Sequence, residues 1–159
     1  MKIAIRQALP DDAPLVADFA LRLQEEIAER TGAQEVESDP EALTLLCLKL
    51  LEEEHYTSLI ATEEESGRTL GVANLCESFA LYAGGNFGII QEFYVLPAYR
   101  SQDVGAALLG AVADLARSRS WTRVELCTPP VPEFSRTLGF YERYGYTVTD
   151  GRKMQMRIE

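Results

Sequence analysis

The sequence predicts an α/β (α+β) domain whose elements run in the order β-α-α-β-β-β-α-β-α-β. Three observations predict it. First, the stretch from Gly88 to Trp121 runs strand, tight loop, helix. Its apolar run Ile89 to Leu96 is broken only by Gln91 and Glu92, and Pro97 ends it. After the polar turn Arg100-Ser101-Gln102-Asp103, residues Val104, Leu108, Leu109, Val112, Leu115 and Ala116 share one helical face. Second, Tyr56 to Glu63 and Thr69 to Ala80 read as strands of a hairpin joined at Ser66-Gly67. Third, 159 residues, 47% of them apolar, suffice for one domain with a proper core.

The remaining elements follow in order. Lys2 to Leu9 alternates, with Ile3 and Ile5 on one face, and reads as a first strand. Pro10-Asp11-Asp12 starts a helix to about Thr31, with Leu15, Val16, Phe19, Ala20, Leu23 and Ile27 as its stripe and Gly32 as its stop. A polar connector, Ala33 to Glu37, leads to a second helix carrying Leu43, Leu46, Cys47, Leu50 and Leu51 inward. Either Asp39 caps that helix ahead of Pro40, or Ser38 and Glu41 form a capping box. His55 follows an acidic run and reads as a surface residue. Leu81 to Asn86 is a Gly-rich turn into the central strand. Trp121 to Thr128 is expected as a strand and Thr128 to Pro132 as an extended break. Phe134, Leu138 and Tyr141 lie at helical spacing up to Gly145, and Tyr146 to Thr149 and Lys153 to Ile158 read as closing strands.

Charge and cysteine usage narrow the function classes. Fifteen basic against 25 acidic side chains give a net charge of −10, which argues against nucleic-acid backbones and suits a cationic substrate. Cys47, Cys76 and Cys127 are odd in number, widely spaced and set in apolar runs, so neither a disulfide framework nor a metal site is expected. Buried thiols in a reducing compartment fit better. No run has the length of a membrane span and no signal peptide is visible, so a cytoplasmic protein without membrane partners is expected.

A strand entering a helix through a tight loop leaves unpaired amides at the positive end of the helix dipole, a setting that suits phosphate. Here Val95-Leu96-Pro97-Ala98-Tyr99-Arg100 followed by Ser101-Gln102-Asp103-Val104-Gly105 resembles the GNAT superfamily of acyl-CoA-dependent N-acetyltransferases. The family loop has the form Arg/Gln-x-x-Gly-x-Gly/Ala. Gly105 matches its second glycine, while Asp103 replaces the first. A shifted register, Gln102-x-x-Gly105-x-Ala107, also fits the short motif but breaks the alignment with Val95-x-Pro97. Phe140-Tyr141-Glu142-Arg143-Tyr144-Gly145-Tyr146 resembles the family's FYEKxGF signature. The resemblance covers nearly the whole chain. It implies a single GNAT acetyltransferase domain over residues 1–159, with a mixed, mostly antiparallel central sheet of six to seven strands flanked by about four helices.

The resemblance also implies roles. Tyr141 aligns with the tyrosine that serves as general acid to the leaving thiolate, although aromatic stripes at its spacing commonly form core. Glu92 is the candidate base. A carboxylate in an apolar strand has a raised pKa unless paired, which suits deprotonating an alkylammonium through water. Binding the substrate's cation is the equal alternative for Glu92, whereas Gln91 should face the other side of the sheet. Acetyl-CoA as co-substrate would contact Tyr94, Val95 and Leu96 on the strand, where an N–H of Val95 or Leu96 polarises the acyl carbonyl. In the loop and first helical turn, Arg100, Ser101, Gln102, Asp103, Val104, Gly105 and Ala106 would hold the pyrophosphate, with Arg117 or Arg119 for other phosphates. The family's asparagine before the FYE helix aligns with Phe134, so Ser135 or Thr137 is expected to replace its contact. The acceptor would be a small amine walled by the first two helices and the link around Tyr82, with Glu25, Glu26 and Glu29 nearby. A homodimer is compatible with the fold. The competing expectation is a non-catalytic acyl-CoA-binding or partner-binding domain on the same fold, to which Asp103 and Phe134 point.

Overall fold

The computed structural model describes residues 1–33, 38–149 and 151–158. Four residues of the expected connector after Ala33 lie outside the described residues. Two compact units divide the chain, Met1–Cys127 and Thr128–Glu159.

The first unit is a five-stranded sheet in the order β1 (Ile3–Gln7), β2 (Thr57–Glu63), β3 (Thr69–Ala80), β4 (Gly85–Val95), β5 (Val124–Leu126). All neighbours are antiparallel except β4 and β5, which run parallel. One face carries α1 (Ala13–Thr31) and α2 (Pro40–Glu52). Val16 and Phe19 of α1 and Cys47 and Leu51 of α2 cluster there with Ile60, Val72 and Tyr94. Strand alternation turns Val95 to the opposite face, where it meets Leu108 of α3 (Val104–Ser118) beside Gly71. Val104, Leu108, Leu109 and Val112 are the buried stripe of α3, as their spacing predicts.

Caps set the helix ends. Gly32 closes α1 in a left-handed conformation, φ 69°. The Asp39 carboxylate accepts the Glu41 amide at 3.1 Å and caps α2. Ser38 takes no part in a capping box, because its hydroxyl donates to Gln24 at 3.0 Å.

β4 is irregular at one point. Leu75 pairs with Ile90 and Asn74 with Glu92, so Gln91 is an extra residue in β4, a β-bulge. The pairing of β4 with β5 covers only Gly88–Ile90 opposite Val124–Leu126 and stops just before that bulge. β5 is therefore shorter than the expected strand from Trp121 to Thr128. At its start, the Trp121 amide bonds the Ala116 carbonyl at 2.9 Å, tying this residue to the end of α3 rather than to the sheet. The indole instead packs its six-membered ring against Gly88 and donates through Nε1 to Glu77 at 2.5 Å.

In the second unit, α4 (Ser135–Arg143) starts after buried Phe134, with the Ser135 hydroxyl on the Pro132 carbonyl at 2.8 Å. The rings of Tyr141 and Tyr146 meet edge to face at 5.7 Å. The expected closing strands Tyr146 to Thr149 and Lys153 to Ile158 do not form among the described residues, so the sheet has five strands rather than six to seven. Val148, Met154, Met156 and Ile158 are exposed: their alternation has no ladder to join, and alternation stabilises a strand only where one face is covered.

Candidate active site

The bulge in β4 determines where its acidic side chain goes. In a bulge two residues oppose one, so both side chains turn to the same side. Gln91 accordingly does not face away from Glu92. Its amide donates to Cys76 Sγ at 3.2 Å, on the face that carries α1 and α2. Glu92, partly buried on that face, accepts the Tyr56 hydroxyl at 3.1 and 3.0 Å on its two oxygens. Asn74, 1% exposed, stands directly opposite on β3, and its amide favours the charged form of the carboxylate. The Asn74 carbonyl oxygen in turn accepts the Ser58 hydroxyl at 2.7 Å from β2.

These contacts fix the electrostatics. Burial pushes the Glu92 pKa up, and the Tyr56 and Asn74 hydrogen bonds pull it part of the way back. Burial and the Glu92 charge push the Tyr56 hydroxyl far above its ordinary value, so it remains a donor. The same two causes push Cys47 on α2 up to about 11, which leaves a neutral, unreactive thiol. Tyr56, Asn74 and Ser58 were not visible as site residues in the sequence, because only the strand register brings them beside Glu92.

Further along β4, Gly71 and Val95 form a non-hydrogen-bonded pair, since the Leu96 amide bonds the Leu70 carbonyl at 2.9 Å. Leu96 N–H is thus spent within the sheet and is not the donor to an acyl oxygen. Val95 N–H points away from β3, towards the edge that β5 no longer pairs. Tyr94 turns its ring into the core, edge to face with Phe19 at 5.8 Å.

The loop departs from expectation at Arg100. Its Nη2 pairs with Glu26 of α1 at 2.8 Å, its Nε donates to the Val95 carbonyl at 2.9 Å, and the guanidinium lies 5.3 Å from the Tyr94 ring centre. Arg100 ties the end of β4 to α1 and is not aimed at the loop. The same pair occupies Glu26, while Glu25 and Glu29 are exposed. Ser101 and Asp103 both have positive φ, 64° and 66°, conformations that favour glycine. Asp103 makes no capping bond with its side chain. Gln102 holds the turn through the Ala98 carbonyl at 3.0 Å.

The first intrahelical bond of α3 runs from Ala107 N to Asp103 O at 3.0 Å. Helix geometry therefore leaves the amides of Val104, Gly105 and Ala106 ahead of it, a donor set that fits a pyrophosphate. Arg117 and Arg119 lie at the opposite end of α3, on Asp114 and Trp121. His55 is exposed beside Glu53, Tyr82 is exposed under Arg123, and Cys127 is exposed rather than buried. Among the described residues no cluster could hold a metal ion, and no helix is long and apolar enough to cross a membrane.

The first unit thus gathers Glu92, Val95 and the loop amides around the end of β4. Tyr141, Ser135 and Thr137 belong to the second unit. Tyr141 is buried against Phe140 and Tyr146, and burial holds its phenol well above the usual tyrosine range.

Comparison with known proteins gives this arrangement a context. YhfO of Bacillus subtilis (strain 168), an uncharacterized N-acetyltransferase, is 27% identical over 147 residues, which is 92% of this chain and 91% of its own. A crystal structure of a probable acetyltransferase, 23% identical, superposes with TM-score 0.77 over 100% of this chain and 99% of that one. An acetyltransferase from Clostridium acetobutylicum, solved with acetyl-CoA and 19% identical, gives 0.77 over 98% and 96%. Both likenesses establish the shared fold. The model of the acetyltransferase (GNAT) family matches residues 20–146, and the chain belongs to that family, whose co-substrate is acetyl-CoA.

Proposed function

We propose that this protein moves the acetyl group of acetyl-CoA to the nitrogen of a small primary amine by direct attack. The observation that carries the reading is Glu92, a partly buried carboxylate whose hydrogen-bond donor, Tyr56, and cross-strand neighbour, Asn74, are both neutral. With no cation bonded to it among the described residues and burial raising its pKa, it can take a proton as well as attract a charged amine. Three steps along the strand take it to Val95, roughly 10 Å, room for an amine and a bridging water.

Acetyl-CoA supplies the acyl group as a thioester. Glu92 receives the amine's proton through water, and the freed nitrogen attacks the acyl carbon. Val95 N–H donates to the acyl oxygen as negative charge builds on it. As the C–S bond breaks, the sulfur takes a proton from Tyr141, a role that the FYERYGY motif supports; burial keeps this phenol protonated at neutral pH. The amides of Val104, Gly105 and Ala106 hold the pyrophosphate. The neutral thiol of Cys47 argues against a covalent enzyme intermediate at that residue.

Thiol release from acetyl-CoA over a panel of small amines tests the reading. Turnover with at least one amine, abolished on omitting it, is expected. Saturable acetyl-CoA binding with no release across the panel would favour the acyl-CoA-binding domain, a reading that the engagement of Arg100 by Glu26 supports.

A further inference from the structure

Three of the polar side chains on the α1/α2 face of the sheet form one cross-strand row. Ser58 pairs opposite Asn74, and Asn74 opposite Glu92, in the strand registers of β2, β3 and β4. Ser58 and Asn74 are fully enclosed, at 0% and 1% exposure, among apolar neighbours that include Ile60 and Val72. Two buried polar residues in the middle of a sheet are expensive unless each bond has a purpose.

The bonds in the row run one way. An amide oxygen accepts only, so at 2.7 Å the Ser58 hydroxyl must donate to Asn74 Oδ1. That fixes the orientation of the amide and leaves its NH2 for Glu92. A carboxylate accepts such a donor, whereas a protonated carboxyl facing an amide NH2 gains less from it. We infer that Ser58 and Asn74 are positioning residues: a hydrogen-bond lock that presents a donor to Glu92 and so keeps its carboxylate ionised and aimed. The inference rests on the proposed role of Glu92 and extends it to two residues that touch neither substrate nor co-substrate. The titratable groups around the row are Cys47 from α2, Tyr56 just ahead of β2 and Cys76 from β3, and α1 contributes Val16 and Phe19, which do not titrate. Of these, Tyr56 donates to Glu92 independently of the lock.

The test uses the full chain with its glutamate carboxyls labelled with carbon-13, and two variants, Ser58→Ala and Asn74→Leu. NMR follows the titration of Glu92, assigned by its loss in Glu92→Gln, and steady-state kinetics follow kcat/KM against pH. Removing the amide donor opposite the carboxylate should raise the Glu92 pKa by about one unit in Asn74→Leu and by a smaller amount in Ser58→Ala. The acid limb of kcat/KM should move by the same interval, with the Kd for acetyl-CoA unchanged. Unaltered Glu92 titration in both variants would overturn the lock while leaving the base role standing. A raised titration with an unmoved pH profile would support the lock and sink the base role instead. Should Asn74→Leu not fold, Ser58→Ala decides alone, because it removes only the hydroxyl that orients the amide.

Discussion

Asp103→Gly is the most informative change in the phosphate loop. Asp103 opens α3 at φ 66° with an exposed side chain that makes no capping bond. Holding a non-glycine residue in the left-handed region costs roughly 1–2 kcal/mol, less for Asp than for most, and glycine removes that cost. Against it, glycine loosens the unfolded chain by about 0.4–1 kcal/mol. It also loses the carboxylate's attraction to the helix dipole, about 0.3–1 kcal/mol. These contributions nearly cancel, so the melting temperature should change by no more than about 2 °C. Binding has no such cancellation. A carboxylate a few Å from a pyrophosphate repels it by up to about 4 kcal/mol near a surface before screening, and hydration reduces this to roughly 1 kcal/mol. Calorimetric titration of acetyl-CoA should therefore show a five- to tenfold lower Kd for the variant at low salt, and a smaller gain at high salt. Equal or weaker binding at low salt would refute the reasoning. The carboxylate would then point away from the phosphates, and the loop would have to be read from Gln102 through Gly105 to Ala107.

Other outcomes follow from the same geometry. Because folding raises the Glu92 pKa, its contribution to stability is present below the ordinary carboxylate pKa and is lost as pH rises through the folded value. The parent should lose melting temperature relative to Glu92→Gln as pH rises above about 4, and the variant's kcat/KM should fall most where the carboxylate is ionised but free amine is still scarce. Tyr141→Phe should lower kcat by roughly 100-fold with little change in acetyl-CoA affinity; unchanged turnover would make Tyr141 a packing residue only. A Cβ at Gly88 would overlap the six-membered ring of Trp121, so Gly88→Ala should cost about 1–3 kcal/mol and shift the fluorescence of this sole tryptophan. An unmoved emission maximum with unchanged melting would show that the indole is not seated there.

The sequence carried the elements better than their partners. The stripe of α3, the hairpin of β2 and β3, and the Asp39 cap rest on local chemistry and were readable. The closing strands misled because period-two alternation says what a segment could pair with, not whether a ladder is there to receive it. Glu92 stood out as a charge in an apolar run, but Tyr56 lies 36 residues away and Ser58 reaches it only through Asn74. Such contacts depend on register, which composition does not encode. Arg100 matched a motif, yet its charge is taken by Glu26 from a helix some seventy positions earlier in the chain. A motif names a residue type; it does not say which anion reaches that residue first.

The bulge at Gln91 has a consequence for how this strand tolerates change in length. Ile90 already pairs with Leu75, and Glu92 with Asn74, so a chain lacking Gln91 would keep every one of these pairs in an unbroken ladder. Sheet pairing by itself therefore gives no reason to retain the residue. What the shortened strand would forfeit is the bend at the point where β5 leaves β4, and with it the opening beside Val95. In this molecule the irregular residue is dispensable to the architecture and indispensable to the gap the architecture surrounds.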